Sequence, residues 1–352
     1  MDYNHLYILS SLLISCIVTA GIIPVIVKIA RAKNIMDEPG LRKAHQKPVP
    51  TMGGLSIILG FYIGVFLIHH FYPFLEYASL LMGLIILLFT GLKDDILVST
   101  PLSKLFMQIA AFSIFIFFGD IRITNLYGIF GITNLSDVTS IIFTLLLMIL
   151  ITNSINLIDG VDGLASGIGI IGSIFYAVWF YLAGNIPFAF IATCLTLLLL
   201  VFLYFNVFGD KYKIFMGDTG SMFLGALISV LTIRFVESNL MNSNGIFFNS
   251  SPAISFSLIA LPLIDAAKVF IIRIIEKRSP IKPDKRHFHH NLLSMGLSHL
   301  SITLIAIAVC VAIFLLTLIF KQTNLLLLFF IITAFTTTII MSVYFLAGKK
   351  ST

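Results

Sequence analysis

Eleven apolar runs follow one another along this chain, roughly 6–30, 52–71, 77–92, 105–118, 138–157, 166–184, 186–207, 219–237, 253–275, 300–320 and 324–347, with only short polar breaks between them. About 20 apolar residues span the hydrocarbon core of a bilayer as a helix. Within lipid, only helices and closed barrels satisfy every backbone polar group. The repeat therefore predicts an all-α polytopic integral membrane protein, with about 10–11 transmembrane helices in one bundle. Composition excludes the soluble alternative: 59% of the 352 residues are hydrophobic and 11% are charged, where a soluble domain carries near a quarter charged.

Charge placement orients the bundle. With the N-terminus outside, the cytoplasmic loops hold Arg31, Lys33, Arg42, Lys43 and Lys47, then Lys93, Lys211 and Lys213. The last large loop adds Lys277, Arg278, Lys282, Lys285 and Arg286, and the tail adds Lys349 and Lys350. The opposite side holds little beyond Arg122 and Lys321. This is a positive-inside bias, so the formal charge of +6 is first a topology signal. It calls for no nucleic acid, and basic loops suit anionic lipids and phosphates. The first run is too long for a signal-peptide core and lacks a basic leader, so it is expected to remain as a helix. Cys16, Cys194 and Cys310 lie in three separate apolar runs without metal-ligand spacing and read as small core residues.

The chain reads as a single membrane-embedded domain, 1–352, without an internal repeat. Residues 120–126 alternate apolar and polar, which predicts a small external hairpin with the Gly128/Gly131 region. Loop 237–252 reads as external and featureless, and loop 276–299 as the largest cytoplasmic one.

Four polar clusters sit at the ends of apolar runs on the predicted cytoplasmic side, where ionisable groups are costly and mark function by default. In Asp94-Asp95, neighbouring helical side chains point about 100° apart. One carboxylate then meets substrate while the other pairs with a base such as Lys104. In Asn153, Asn156, Asp159 and Asp162, carbonyl-bearing side chains recur every third residue, with Gly160 and Gly163 among them. Hard oxygen ligands of this kind suit Mg²⁺ beside a phosphate. Asp218 opens the eighth run, followed by Thr219, Gly220 and Ser221. It reads as an N-cap, at a helix end whose free N–H groups also attract phosphate. His287, His289 and His290 follow Lys285 and Arg286. Three histidines suggest zinc, but the chain lacks a second ligand cluster, so the basic segment reads better as an anion clamp. Asp265 and Lys268, three residues apart in the ninth run, read as a structural ion pair.

With these motifs in this order, the chain resembles the polyprenyl-phosphate N-acetylhexosamine-1-phosphate transferases. The resemblance runs through Asp37-Glu38-Pro39, Arg42-Lys43-Ala44-His45, Pro50 to Gly54, Gly91 to Ile96, Asn153 to Gly167, Phe215 to Gly225 and the histidine loop. It implies that undecaprenyl phosphate attacks the β-phosphorus of a UDP-linked N-acetylhexosamine and releases UMP at the cytoplasmic face of the plasma membrane. His-Phe-His-His resembles the branch acting on UDP-N-acetylglucosamine; the peptidoglycan branch carries three consecutive histidines, which this chain lacks. Another UDP-N-acetylhexosamine, or UDP-muramoyl-pentapeptide, would keep the mechanism. A transporter is the reading of another class.

The resemblance also implies roles. Asp218 and Asn156 would hold Mg²⁺, with Mn²⁺ as a substitute. Phe215 would stack on uracil and Asp162 would bond near it, with Asn153, Lys285 and Arg286 also binding substrate. Asp94, Asp95, Lys104 and Asp159 would be catalytic, with the two aspartates of the pair positioning the acceptor phosphate more than abstracting a proton. His287, His289 and His290 would contact the phosphates or the sugar. A homodimer in the lipid bilayer is compatible with this reading. The downstream polymer, teichoic acid, lipopolysaccharide or another glycan, and the role of Lys268 are left open.

Overall fold

The computed structural model describes residues 3–37, 48–69, 75–97, 99–241, 247–277 and 286–350. Within them the chain forms α1 (Tyr3–Ala32), α2 (Gly54–His69), α3 (Leu75–Ile96), α4 (Pro101–Gly119), α5 (Asp137–Ile158), α6 (Leu164–Leu182) and α7 (Ile186–Phe208). There follow α8 (Gly217–Met241), α9 (Ser251–Ile275), the short α10 (Phe288–Ser294), α11 (His299–Ile319) and α12 (Leu325–Lys350). Each expected apolar run has its helix. Among the described residues, eight of these helices are long and apolar enough to cross a membrane by length and composition, and α2 is a shorter apolar helix. The all-α polytopic class thus stands, and the outward face agrees with it. Phe66, Phe106, Phe118 and Phe330 are each exposed by more than two-thirds, a density of bare aromatic surface that water would not tolerate but lipid does.

Helices that follow one another in sequence pack together: α1 lies on α2, α3 on α4, and α6 on α7, the last two pairs across connections of only a few residues. The α8 helix runs through the middle, against α2, α3, α5, α6 and α9. Its apolar stretch is 94% buried, against 22% for α12. Close approach is made by glycine. A side chain on Gly54 would lie 2.1 Å from the Gly220 backbone, and one on Gly91 would lie 2.3 Å from Thr219 Cα. These contacts bring the ends of α2 and α3 onto the first turn of α8.

Several boundaries differ from the sequence expectation. The α3 helix continues one turn past residue 92, carrying Asp94 and Asp95 inside the helix. Asp94 then accepts the Ser99 amide at 2.6 Å and closes the turn into α4. The α4 helix starts at Pro101, with Thr100 accepting the Ser103 amide as N-cap, so Lys104 falls in its first turn. The hairpin is present but displaced: β3 (Asn125–Ile129) pairs antiparallel with β4 (Ile132–Asn134), with Gly131 at φ +78° in the turn. Residues 120–124 are not strand, although the Thr124 carbonyl accepts the Leu135 amide at 2.8 Å at the end of the hairpin. Thr124 donates its amide and hydroxyl to Glu237 at 2.8 and 2.7 Å. Nor is the stretch expected to be featureless, 237–252, without ties, since Asn239 exchanges hydrogen bonds with the backbone of Phe248 at 2.9 Å each. A second small sheet pairs β1 (Met36–Asp37) with β2 (Val49–Pro50). The three cysteines are free: Cys194 and Cys310 are buried and Cys16 is partly so.

Candidate active site

The first turn of α8 is the organising point. Gly217 takes φ +71° and starts the helix, leaving backbone N–H groups unpaired by the helix itself. They are capped from outside. Asp95, on α3, accepts the amides of Asp218 and Thr219 at 2.8 and 3.2 Å and the Thr219 hydroxyl at 2.6 Å. The expected N-cap role of Asp218 therefore belongs to Asp95. Both Asp95 oxygens face α8, while the neighbouring Asp94 points to Lys104. The division between one carboxylate and a base is that of the sequence reading, with the other carboxylate given to a helix end.

Lys104 lies between two acids. Its ammonium is 2.6 Å from Asp94 Oδ2 and 2.5 Å from Asp218 Oδ2. Asn156, from the end of α5, donates to Asp218 Oδ1 at 2.7 Å and to Ser221 Oγ at 2.8 Å through the same amide nitrogen. With the nitrogen so engaged, the Asn156 amide oxygen makes no hydrogen bond among the described residues. Asp218 and that oxygen are hard donors on one side of a bound cation, which fits Mg²⁺ completed mainly by phosphate and water oxygens. No cluster of three or more His, Cys, Asp or Glu ligands exists among the described residues, so they build no all-protein cage.

Asn153 sits one turn deeper and is paired with Gln108 of α4, donating at 3.0 Å and accepting at 3.3 Å. It lies beside the cluster while its side chain is turned to α4. Asp159 caps the end of α5, its amide donating to the Asn156 carbonyl at 3.3 Å, while its side chain makes no hydrogen bond among the described residues. Crowding by protein and then the negative Asp218, Asp95 and Asp162 push its carboxyl well above the usual carboxylate range.

Asp162 occupies a second subsite. Its Oδ2 lies 2.7 Å from the Lys213 ammonium and 3.0 Å from His299 Nδ1, and its buried Oδ1 has no hydrogen-bond partner among the described residues. Burial opposes its charge, but His299 and Lys213 outweigh that and hold the carboxyl below its ordinary value. Gly163 at φ +78° turns the chain here, and its amide donates to Asn206 Oδ1 at 2.6 Å. The Asn206 amide nitrogen donates to the Ile214 carbonyl at 2.8 Å. One buried side chain of α7 thus ties the Asp162 turn to the strand-like segment carrying Phe215. That segment is pinned on its other side, where the Phe215 amide donates to Pro50 O and its carbonyl accepts from Gly53 N, each at 2.8 Å. The Phe215 side chain is half-buried.

The histidine loop closes the third side. His289 is buried and lies where a side chain on Gly160 would be, 2.7 Å from its Nε2. His289 Nδ1 has no hydrogen-bond partner among the described residues. Burial, then the charge of His290, with His287 and Lys268 beyond it, push the ring down to about 3 against the opposing pull of Asp265. His287 is 5.9 Å from His289, nearly parallel, and His290 is 4.3 Å from His289.

The loop is held by α9. Asp265 accepts from or pairs with His287 Nδ1 at 2.8 Å, the Phe288 amide at 2.9 Å and Lys268 at 2.8 Å. Lys268 also donates to the Arg286 carbonyl at 2.7 Å. The Asp265–Lys268 ion pair is as expected, and its role is now visible as the anchor of the histidine loop. Arg286 pairs with Glu276 at 2.6 Å, and Lys285 lies outside the described residues.

Sequence reasoning passed over Gln108, Asn206, Lys213, His299 and Ser221. For Gln108 and Asn206 a signal was available, since each is a lone amide within an otherwise apolar helix. Lys213 and His299 carry no local sign that they meet at Asp162.

The chain is similar to known proteins over most of its length. Residues 77–236 match glycosyl transferase family 4, a stretch holding Asp94, Lys104, Asn156, Asp162 and Asp218. The chain is 30% identical over 306 residues to a probable undecaprenyl-phosphate N-acetylglucosaminyl 1-phosphate transferase of Bacillus subtilis (strain 168), covering 85% of this chain and 81% of that one. It is 30% identical over 274 residues to an undecaprenyl-phosphate alpha-N-acetylglucosaminyl 1-phosphate transferase of Haemophilus influenzae, covering 75% and 73%. The corresponding Escherichia coli (strain K12) protein is 25% identical over 273 residues, covering 76% and 72%.

Proposed function

This chain belongs to glycosyl transferase family 4, and on that premise we propose that it transfers N-acetylglucosamine 1-phosphate from UDP-N-acetylglucosamine to undecaprenyl phosphate. The observation that carries this reading is the Lys104 ammonium held between Asp94 and Asp218 at the end of a membrane bundle, beside a second carboxylate subsite at Asp162. The relatives are undecaprenyl-phosphate N-acetylglucosaminyl 1-phosphate transferases by name, which supports the lipid acceptor and the transferred sugar phosphate.

An oxygen of the lipid phosphate attacks the β-phosphorus of the nucleotide sugar. The new P–O bond forms as the bond to the bridging oxygen breaks, and that electron pair leaves with UMP. The lipid keeps a pyrophosphate linked to the sugar. Phosphoryl transfer of this kind depends mostly on positioning and charge neutralisation. Lys104 meets the negative charge where lipid phosphate and diphosphate approach each other. Asp94 holds Lys104 on one side, which places the ammonium beside Asp218. Phosphate monoesters have a second pKa near 6, so the acceptor is already a dianion at neutral pH and needs no base; Asp94 acts on it only through Lys104. Phe215 offers a ring face for the uracil, and the unpaired Asp162 Oδ1 accepts an N–H from the base.

Asp218 and the Asn156 amide oxygen would hold Mg²⁺, or Mn²⁺ in its place. Bound there, the ion would neutralise charge on the diphosphate. His289, kept neutral by burial, offers a hydrogen bond to phosphate or sugar without adding charge. The positive-inside pattern supports an active site on the cytoplasmic face of the plasma membrane, where a soluble nucleotide and a lipid headgroup can meet.

UMP release by the purified protein in detergent, with undecaprenyl phosphate and Mg²⁺ across a panel of UDP-sugars, tests the reading. Release with UDP-N-acetylglucosamine alone supports reaction and donor together. Release only with another N-acetylhexosamine moves the donor and keeps the chemistry. No release from folded protein with any donor overturns the proposal.

A further inference from the structure

A second cavity lies at the opposite end of the bundle from Asp218. It has a volume of about 770 Å³ and opens between the β3–β4 hairpin, the segment before α9 and the turn joining α11 to α12. Tyr127, Phe248, Ser250, Lys321 and Asn324 are among its walls. None of them is used by the carboxylate cluster or the histidine loop.

Three observations give this cavity a ligand preference. Lys321 makes no ion pair with a carboxylate among the described residues; its ammonium lies 5.6 Å from the Phe248 ring centroid. Other cations at this end are engaged: Arg122 is held by Asp120 and Asp137 at 3.0 and 2.7 Å, and Arg234 donates to the Gly119 carbonyl at 2.7 Å. Second, Ser250 is buried to 2% exposure, and its hydroxyl has no hydrogen-bond partner among the described residues. Ser250 stands at the N-cap of α9, where a serine ordinarily accepts an amide of its own helix, yet it makes no such bond. Third, the N-termini of both α9 and α12 reach the cavity, and helix N-termini favour negative charge. Asn324 caps α12, accepting the Leu326 amide at 2.9 Å.

The position is that of a headgroup. Below the cavity α11 and α12 present Ile319 and Phe330 outward, 75% and 68% exposed, as lipid-facing surface. A ligand with acyl chains along these helices and an anionic oxygen group at their end would meet an ammonium, a hydroxyl without a partner among the described residues, and the N-terminus of α9, which no side chain caps. Basic pockets between spanning helices take lipid phosphates on the cytoplasmic side, and the same pairing of a cation with a phosphate applies at this end.

We infer that this cavity binds the phosphodiester headgroup of an anionic membrane phospholipid, with Lys321 and Ser250 as its contacts. The site is independent of the transfer reaction, and its test does not use UMP release.

The experiment is native mass spectrometry of the full chain, delipidated in detergent and titrated with phosphatidylglycerol or phosphatidylcholine. Phosphatidylglycerol should be retained over phosphatidylcholine. The Lys321→Gln variant should lose about fivefold in phosphatidylglycerol affinity, the factor that one cation near an anionic headgroup contributes. Ser250→Ala should weaken retention in the same direction. Lys211→Gln, which removes a cation at the other end, should bind as the unaltered chain does. An unchanged thermal unfolding temperature establishes that each variant is folded. Equal retention of both lipids, or unaltered binding by Lys321→Gln, overturns the inference. Displacement of the lipid by millimolar inorganic phosphate also overturns it, making the cavity a free-anion site.

Discussion

The carboxylate of Asp95 occupies the space that a side chain on Gly217 would need: a Cβ there would lie 2.7 Å from Asp95 Oδ2. The absent side chain and the present carboxylate are two halves of one arrangement. Gly217 supplies the positive φ that opens α8, and Asp95 satisfies the amides so exposed. Asp218 is thereby presented one residue inside a helix whose N-terminus is anchored to α3.

Asp95→Ala is expected to destabilise the fold by about 2 kcal/mol, the upper range for loss of a helix cap. Asp94→Ala should cost less stability, because its carboxylate serves an ion pair and one turn amide. Thermal unfolding of the two purified variants compares them, and an Asp95→Ala protein as stable as Asp94→Ala would remove the cap from the account.

Asp218→Ala should abolish UMP release and remove the dependence of any residual rate on Mg²⁺. Lys104→Met should lower turnover by 10²-fold or more, as loss of one charge-stabilising group commonly does (about 3 kcal/mol). It should do so without loss of nucleotide binding, since Lys104 faces Asp94 and Asp218 and not the Asp162 subsite. Steady-state kinetics over a range of Mg²⁺ concentrations reads both. A normal rate in either variant sinks its assignment.

Phe215→Ala should raise the KM for the nucleotide sugar by the loss of base stacking, roughly 1–3 kcal/mol. Asn206→Ala should act on the same parameter from a distance, since it unties the Asp162 turn from the segment carrying Phe215. If the KM of Asn206→Ala is unmoved while its stability falls, Asn206 is a packing residue only.

His289 gives a pH dependence of stability with a definite sign. Its folded-state value falls from the usual 6.5 to about 3, so the unfolded chain takes up a proton that the folded chain refuses. The stability it supports is complete above pH 6.5 and is lost progressively as the pH falls towards about 3. Burial is the largest cause of the shift, with His290, His287 and Lys268 adding to it and Asp265 opposing it. Unfolding temperatures measured from pH 7 down to 4 should fall, and His289→Gln should fall less steeply. Parallel curves for the two proteins contradict the assignment.

The partition between what was legible and what was not follows the range of the forces. Helix positions were readable because burial of an apolar run in lipid is a local property of the run. All eleven appear, with errors at ends such as α3 and α4, where polar residues extend the helix by one turn. The polar clusters were readable for the complementary reason: Asp94, Asn156, Asp162 and Asp218 are costly at membrane helix ends and stand out against their neighbours.

What each polar atom touches was a different matter. Asp94 and Asp95 are adjacent in sequence, yet one faces Lys104 and the other caps α8. That choice depends on how α3 packs on α4 and on α8, and nothing near residue 95 encodes it. Asn206, Lys213 and His299 converge on one turn from three separate segments, and Asp265 and Lys268 anchor a loop about twenty residues further on. The sequence by itself determined a multi-helix membrane protein with its chemistry concentrated at one end, because hydrophobic periodicity and the cost of charge in lipid act residue by residue. Only the tertiary structure decided which carboxylate caps, which pairs and which stays open to a ligand, because hydrogen bonds act over about 3 Å between groups that the chain brings together only when it is folded.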